Sequence, residues 1–341
     1  MLNLDGIDLT TTASAENGLY GLPTNENDAE LIIIPVPWDV TTSYSAGTHL
    51  GPKHVLEASV QIDLHRHDGK EPFRHGFHLL PIDPKISRKC GEARKTAEAH
   101  IERVESNQAI AQSDLDQVNT ESESLNQLVQ DTAAKYLAQG KKVAVLGGDH
   151  SSPLGLLRAL GKTVGEFDIL HIDAHADLRV AYQGFKYSHA SIMHNTLVEV
   201  PTVGRLVQVG IRDYCTPEAN EIKSNPKITC FYDDDVKAQQ FSGRAFAQIC
   251  EEIVATLSDK VYISFDIDGL NPLYCPDTGT PVPGGLDYTE AMYLLRQVSA
   301  EKTVIGFDLC EVGPSANADN EWNGNVGSRV LYELCCGVFN G

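Results

Sequence analysis

Residues 167–177 read Phe-Asp-Ile-Leu-His-Ile-Asp-Ala-His-Ala-Asp, a mostly apolar run that ends in two carboxylates with an imidazole between them. The run is too continuous for a strand with one wet face, which is the pattern of a parallel strand covered on both sides. Outward along the chain the same pattern recurs at Leu31–Val36, Val143–Leu146, Arg205–Ile211, Ile228–Tyr232, Val261–Phe265 and Val304–Leu309. Helical material lies between many of these runs. Leu125, Leu128, Val129, Tyr136 and Leu137 repeat at helical spacing before the strand at Val143, with Gly140 as a stop signal. After that strand, Ser151-Ser152-Pro153 predicts a helix over Leu154–Leu160, with Ser at the cap and Pro in the first turn. Strands alternating with helices predict an α/β fold, a mostly parallel sheet with helices on both faces.

At 341 residues the chain suits one large α/β unit. Residues 29–341 read as a single catalytic domain and residues 1–28 as an N-terminal arm. The polar stretch 84–124 resembles a linker, but Ile101, Val104, Ile110 and Leu115 are spaced for surface helices. It therefore reads as a helical excursion around residues 84–139. The chain carries 27 Lys and Arg against 47 Asp and Glu, a formal charge of −20, which repels phosphate backbones and anionic lipid. Nucleic-acid and membrane partners are accordingly not expected. No apolar run of about 18 residues and no basic, apolar leader is present, so a cytoplasmic protein is expected. None of the eight cysteines forms a Cys-x-x-Cys pair, which favours reduced, buried thiols.

The polar residues at strand ends carry the functional signal. Val143–Leu146 runs into Gly147-Gly148-Asp149-His150-Ser151, Val261–Phe265 into Asp266-Ile267-Asp268-Gly269, and Thr303–Leu309 into Cys310-Glu311-Val312. In an open parallel sheet all these ends emerge on one edge, where ligands bind. Strand-like alternation puts Asp173, His175 and Asp177 on one side, and Asp266 and Asp268 repeat the i, i+2 relation. Four Asp side chains cannot all stay ionised together in a low dielectric without cations. His150, Asp173, His175, Asp177, Asp266 and Asp268 are too many donors for one tetrahedral zinc, but they suit two ions bridged by shared carboxylates. Oxygen-rich ligation favours manganese, while nickel, cobalt, iron and zinc fit the same donor types. Read singly, each residue is equally explained as a helix cap or a satisfied core polar group.

GGDHS at 147–151, DAHAD at 173–177, SFDIDGLNP at 264–272 and TGTPVPGG at 278–285, with PVPWD near 35 and GPKHVLEAS near 51, resemble the ureohydrolases, the arginase and agmatinase family. The likeness runs from about Leu31 to the C-terminus, and agmatinase-like members are nearest. It implies a three-layer α/β/α fold around an eight-stranded, mostly parallel sheet, two Mn2+ per subunit, and a homo-oligomer, trimer or hexamer. Carried over by motif, one ion takes His150, Asp173, Asp177 and Asp266, and the other Asp173, His175, Asp266 and Asp268. The implied reaction is cleavage of a C–N bond in a linear guanidino or amidino compound by a metal-bridging hydroxide. Asp177 is implied to hold the hydroxide proton, Glu311 to pair with the guanidinium, and Thr280 to touch substrate. His189, in Ser188-His189-Ala190-Ser191, matches the family's proton-shuttling histidine better than nearby His194 does. His171 reads as a residue that packs or hydrogen-bonds within its strand.

One departure bears on substrate. Arginases carry asparagine two residues past the DAHxD motif, whereas here Arg179 stands there. An arginine there repels a second cationic group or welcomes a carboxylate, which weighs against arginine and, to a lesser degree, agmatine and leaves formiminoglutamate and other guanidino acids open; turned away into a salt bridge, it does neither. Two readings compete with a ureohydrolase. A deacetylase-like amidohydrolase would use one zinc, against which His150 and Asp177 argue. An inactive, metal-bound regulatory or assembly subunit would retain metal and show no turnover.

Overall fold

The computed structural model describes residues 14–315, 317 and 320–339. Eight strands, β1 (Leu31–Val36), β2 (Phe77–Leu79), β3 (Lys142–Gly147), β4 (Phe167–Ile172), β5 (Val203–Val209), β6 (Ile228–Phe231), β7 (Lys260–Asp266) and β8 (Thr303–Cys310), form one sheet in the order β2-β1-β3-β8-β7-β4-β5-β6. Every pairing is parallel. The expected three-layer α/β/α architecture around eight parallel strands is what the chain adopts. Seven of the strands carry the apolar runs, and β5 sits two residues earlier than the run Arg205–Ile211 suggests. The eighth, β2, is only three residues long and lies on the edge, where too few alternating side chains exist to register as a pattern.

Alternation across the sheet divides its apolar side chains between two cores. Leu31, Ile33, Ala144, Leu146, Leu170, Ile172, Ile263, Phe265 and Phe307 face one layer with the helices Tyr288–Glu301 and Trp322–Gly337. Ile32, Ile34, Val143, Val145, Ile169, Leu206 and Tyr262 face the other, covered by the helices Pro84–Glu105, Gln112–Leu137 and Leu154–Thr163. The stretch 84–139 is thus two long helices. Ile101 and Leu115 are buried, whereas Ile110 lies in the connection between them and is exposed. Within the segment assigned to an N-terminal arm, residues 1–13 lie outside the described residues, and Leu19, Tyr20 and Leu22 are buried in the first core.

The helix over Leu154–Thr163 begins where expected, but its cap is not the serine of the Ser-Ser-Pro signal. Pro153 is its N-cap, and Ser151 instead donates its backbone N–H and hydroxyl to Asp149 Oδ1. The cap residue was diverted by the neighbouring buried carboxylate. All eight cysteines are free thiols, and no helix among the described residues is long and apolar enough to cross a membrane.

Candidate metal centre

Parallel pairing brings the C-terminal ends of β3, β4, β7 and β8 side by side at the middle of the sheet. The turn after β3 is shaped by close packing. A Cβ on Gly148 would lie 2.1 Å from the Trp38 carbonyl oxygen, so only glycine lets this backbone pass. The Gly148 carbonyl accepts the Glu311 N–H at 2.7 Å, which locks the β3 and β8 loops together.

The six residues expected as ligands converge as two sets. Around His150 Nδ1 lie Asp173 Oδ2 at 3.0 Å, Asp177 Oδ2 at 3.1 Å and Asp266 Oδ2 at 3.4 Å. Around His175 Nδ1 lie Asp268 Oδ2 at 3.0 Å and Asp173 Oδ1 at 3.4 Å. Asp173 therefore offers one oxygen to each set. Adjacent donors of an octahedral ion about 2.1 Å from each ligand stand ~3.0 Å apart, and these separations fit that spacing. His150, Asp173, Asp177, Asp266 and Asp268 are all buried.

Electrostatics give the same answer. Burial, then Asp268 and Asp173, raise Asp266 well above the usual carboxylate range. Burial and Asp173 lift Asp177 to about 6, burial lifts Asp149 to about 7, and burial with Asp149 raises Glu311 well above its ordinary value. Burial opposes charge on His150 and His175 as well, yet their carboxylate partners hold both well above the usual imidazole range. Carboxylates gathered at this cost, in pairs that face imidazole nitrogens, are a donor set suited to divalent cations.

Asp149, Asp266, Glu311, His150 and His175 all have folded values above their unfolded ones, so the folded protein without metal holds the extra protons. That stability is present at low pH and is lost as pH rises through the folded values. His189, lowered to about 3, acts in the opposite sense, but only below its unfolded value of about 6.5. Between pH ~6.5 and ~8.5 the melting temperature of metal-free protein should therefore fall, at about 1.4 kcal/mol per pH unit for each proton retained. Added Mn2+ should raise it most at the alkaline end. Differential scanning calorimetry reads this; a melting temperature that holds or climbs across the window contradicts it.

Beside the ligands opens a cavity of about 430 Å3 lined by His175, Asp177, Arg179, His189, Glu218 and Thr280, among others. Burial, then the neighbouring His175 and His150, push the His189 imidazole down, and its ring meets that of Tyr182 edge-on at 6.0 Å. His194 is not among the lining residues. Glu311 Oε1 accepts the His150 N–H at 3.0 Å, while Oε2 is buried without a partner. A Cβ at Gly279 would stand 3.3 Å from that oxygen, so the glycine leaves it reachable. Asp177 (φ 53°) and Glu311 (φ 63°) both adopt left-handed backbone, a strain of order 1–3 kcal/mol that the surrounding packing must hold in place.

Arg179 lines the cavity but is already engaged. Its Nε is 3.6 Å from Glu218 Oε2, and its guanidinium lies 4.9 Å over the Tyr182 ring. Asp213 and Glu218 also line the cavity, and sequence reasoning overlooked both. Glu218 is buried and accepts the Leu178 and Cys215 N–H groups, whereas Asp213 is exposed and its carboxylate has no partner among the described residues. Both follow the C-terminal end of β5, so reading past every strand end, not only the four richest, would have found them.

Residues 29–337 match the Arginase family. The chain is 33% identical over 290 residues to an N(1)-aminopropylagmatine ureohydrolase of Thermus thermophilus, covering 84% of each protein. It is 28% identical to a guanidinobutyrase of Pseudomonas aeruginosa, over 92% of this chain and 90% of that protein. Among solved structures, an agmatine ureohydrolase of Thermoplasma volcanium superposes with a TM-score of 0.70 at 25% identity, covering 98% of this chain and 96% of that one.

Proposed function

Because the chain belongs to the arginase family, a metal-dependent hydrolase of the ureohydrolase type, we propose that its substrate is a linear guanidino compound ending in an amine, cleaved to urea and the free amine. The observation that carries the choice of tail is the engagement of Arg179 by Glu218 and Tyr182, beside the unpartnered Asp213 carboxylate. With the Arg179 guanidinium beside Glu218 and over Tyr182, the unpartnered Asp213 carboxylate is the charge left open to the cavity, and it suits an ammonium group. The names borne by the Thermus and Thermoplasma relatives agree with this reading.

His150, Asp173, Asp177 and Asp266 would hold one cation and Asp173, His175, Asp266 and Asp268 a second, with Mn2+ favoured by the oxygen-rich donors. When bound, such a pair acidifies water at neutral pH and offsets the crowded carboxylates. Glu311 accepts guanidinium N–H bonds at its free Oε2, orienting the electrophilic carbon over the ligand sets. Thr280 borders the same guanidinium. Asp177, shared by the first ligand set and the cavity wall, accepts the proton of the attacking water. His189, uncharged at neutral pH, takes up that proton and delivers it to the leaving nitrogen.

A second reading, hydrolysis of guanidino acids or formiminoglutamate, draws on the presence of Arg179 in the cavity wall and on the guanidinobutyrase relative. A substrate panel separates the two. Mn2+-loaded protein should turn over agmatine and N(1)-aminopropylagmatine with kcat/KM at least about tenfold above 4-guanidinobutyrate, arginine and formiminoglutamate, the worth of ~1.4 kcal/mol in tail recognition. The reverse order would establish the acid-tailed reading. Silence on the whole panel, with two ions bound, would favour a non-enzymatic subunit.

A further inference from the structure

One residue layer beneath the ligands, a row of polar side chains crosses four adjacent strands. The strand register sets Asp308 of β8 beside Ser264 of β7, Ser264 beside His171 of β4, and His171 beside Gln208 of β5. All four are fully buried. The next row inward is Gly306, Tyr262, Ile169 and Leu206, so the polar row interrupts what is otherwise apolar sheet. Asp266 and Asp173 stand two residues after Ser264 and His171 and therefore share their face.

The hydrogen bonds of this row point at the centre. Gln208 Nε2 lies 2.8 Å from the Ala176 carbonyl oxygen and 2.9 Å from His171 Nδ1. A carbonyl oxygen only accepts, so that atom is the amide NH2, and it donates to His171 Nδ1 as well. Nδ1 thus carries a lone pair and the ring proton sits on Nε2, which donates to Asp173 Oδ2 at 2.8 Å. His171 is by this argument a donor to a ligand and not a third imidazole ligand. At the other end of the row, His150 Nε2 meets Ser264 Oγ at 2.9 Å and Asp308 Oδ1 at 3.5 Å, which leaves Nδ1 to face Asp173, Asp177 and Asp266.

We propose that the buried row Asp308, Ser264, His171 and Gln208 is a positioning layer for the metal centre. Its hydrogen bonds decide which ring nitrogen of His150 faces the carboxylates and turn Asp173 so that its two oxygens serve both ligand sets. The inference rests on the binuclear reading of the site and deepens it. Groups of this kind behind a ligand commonly govern affinity by about 10–100-fold.

Mn2+ binding, measured by equilibrium dialysis with elemental analysis, tests it without reference to turnover. His171→Phe should bind Mn2+ about 10–100-fold more weakly, and His171→Gln, which restores an N–H donor, should recover most of that loss. A purely structural role would not make the rescue depend on a donor. Unchanged affinity in a folded His171→Phe overturns the proposal, whereas failure of the unsubstituted protein to take up two ions overturns the binuclear reading itself. If His171→Phe does not fold, 15N spectra of histidine-labelled, Zn2+-loaded protein decide. An unprotonated Nδ1 and protonated Nε2 at His171, assigned by the signal missing in His171→Gln, are expected. A protonated Nδ1 refutes the assignment.

Discussion

Asp268→Ala should bind one Mn2+ in place of two and lose turnover by roughly 10^3-fold, the several kcal/mol that a cation supplies to charge development at about 1.4 kcal/mol per tenfold. Asp268 faces His175 Nδ1 at 3.0 Å and accepts the Ala174 N–H at 3.0 Å, so it serves both the second ligand set and the backbone of the DAHAD loop. Its removal leaves that set with His175 and shared carboxylates only, too few donors to hold an ion in competition with water. His189→Ala is the necessary contrast. That ring contacts Tyr182 and Ser188 rather than a ligand set, so the variant should keep both ions and lose about 10^2–10^4-fold in kcat. Elemental analysis beside urea release separates the pair. Full turnover in Asp268→Ala, or lost metal in His189→Ala, would reverse the roles assigned to them.

Glu311→Gln should retain both ions yet lower kcat/KM by roughly 30- to 4,000-fold, equivalent to about 2–5 kcal/mol for breaking a buried, charge-assisted pair with a guanidinium. Gln keeps an oxygen able to accept the His150 N–H, now accepted at 3.0 Å, so the β3 loop should stay in place. What it loses is the negative charge at Oε2, which is buried and has no protein partner. Burial and Asp149 already make that charge costly, and a bound cationic substrate offsets the cost. Competitive inhibition by simple guanidines should weaken in parallel. A Glu311→Gln enzyme with normal KM and kcat would show that the guanidinium is recognised elsewhere. The left-handed backbone at Glu311 explains how its side chain turns back toward the ligands straight after the strand ends.

Much of this centre is legible in the sequence because continuous apolar runs ending in polar clusters are local patterns. Asp173, His175 and Asp177, and separately Asp266 and Asp268, read as groups because each set follows an apolar run at a spacing of two, although the turns after β4 and β7, with Asp177 at φ 53° and Asp268 in a 3-10 turn, are what bring them to one point. Asp213 and Glu218 are passed over because the end of β5 carries no cluster of acidic and imidazole side chains, and Glu218 stands in the helix Thr216–Ser224 beyond it. The edge strand β2 is too short to show a period, and the Ser151 cap was diverted by a buried carboxylate two residues away.

The amino-acid sequence alone marked out the class of fold, the six candidate ligands and the strand ends that bear them, since each depends on chemistry repeated at short separation. Tertiary structure alone decided that Asp173 gives one oxygen to each ligand set, that Arg179 is engaged by Glu218, and that Asp308, Ser264, His171 and Gln208 stand in one row. The row spans 137 positions of the chain, from His171 to Asp308, and only the register between paired strands fixes which of its members meet.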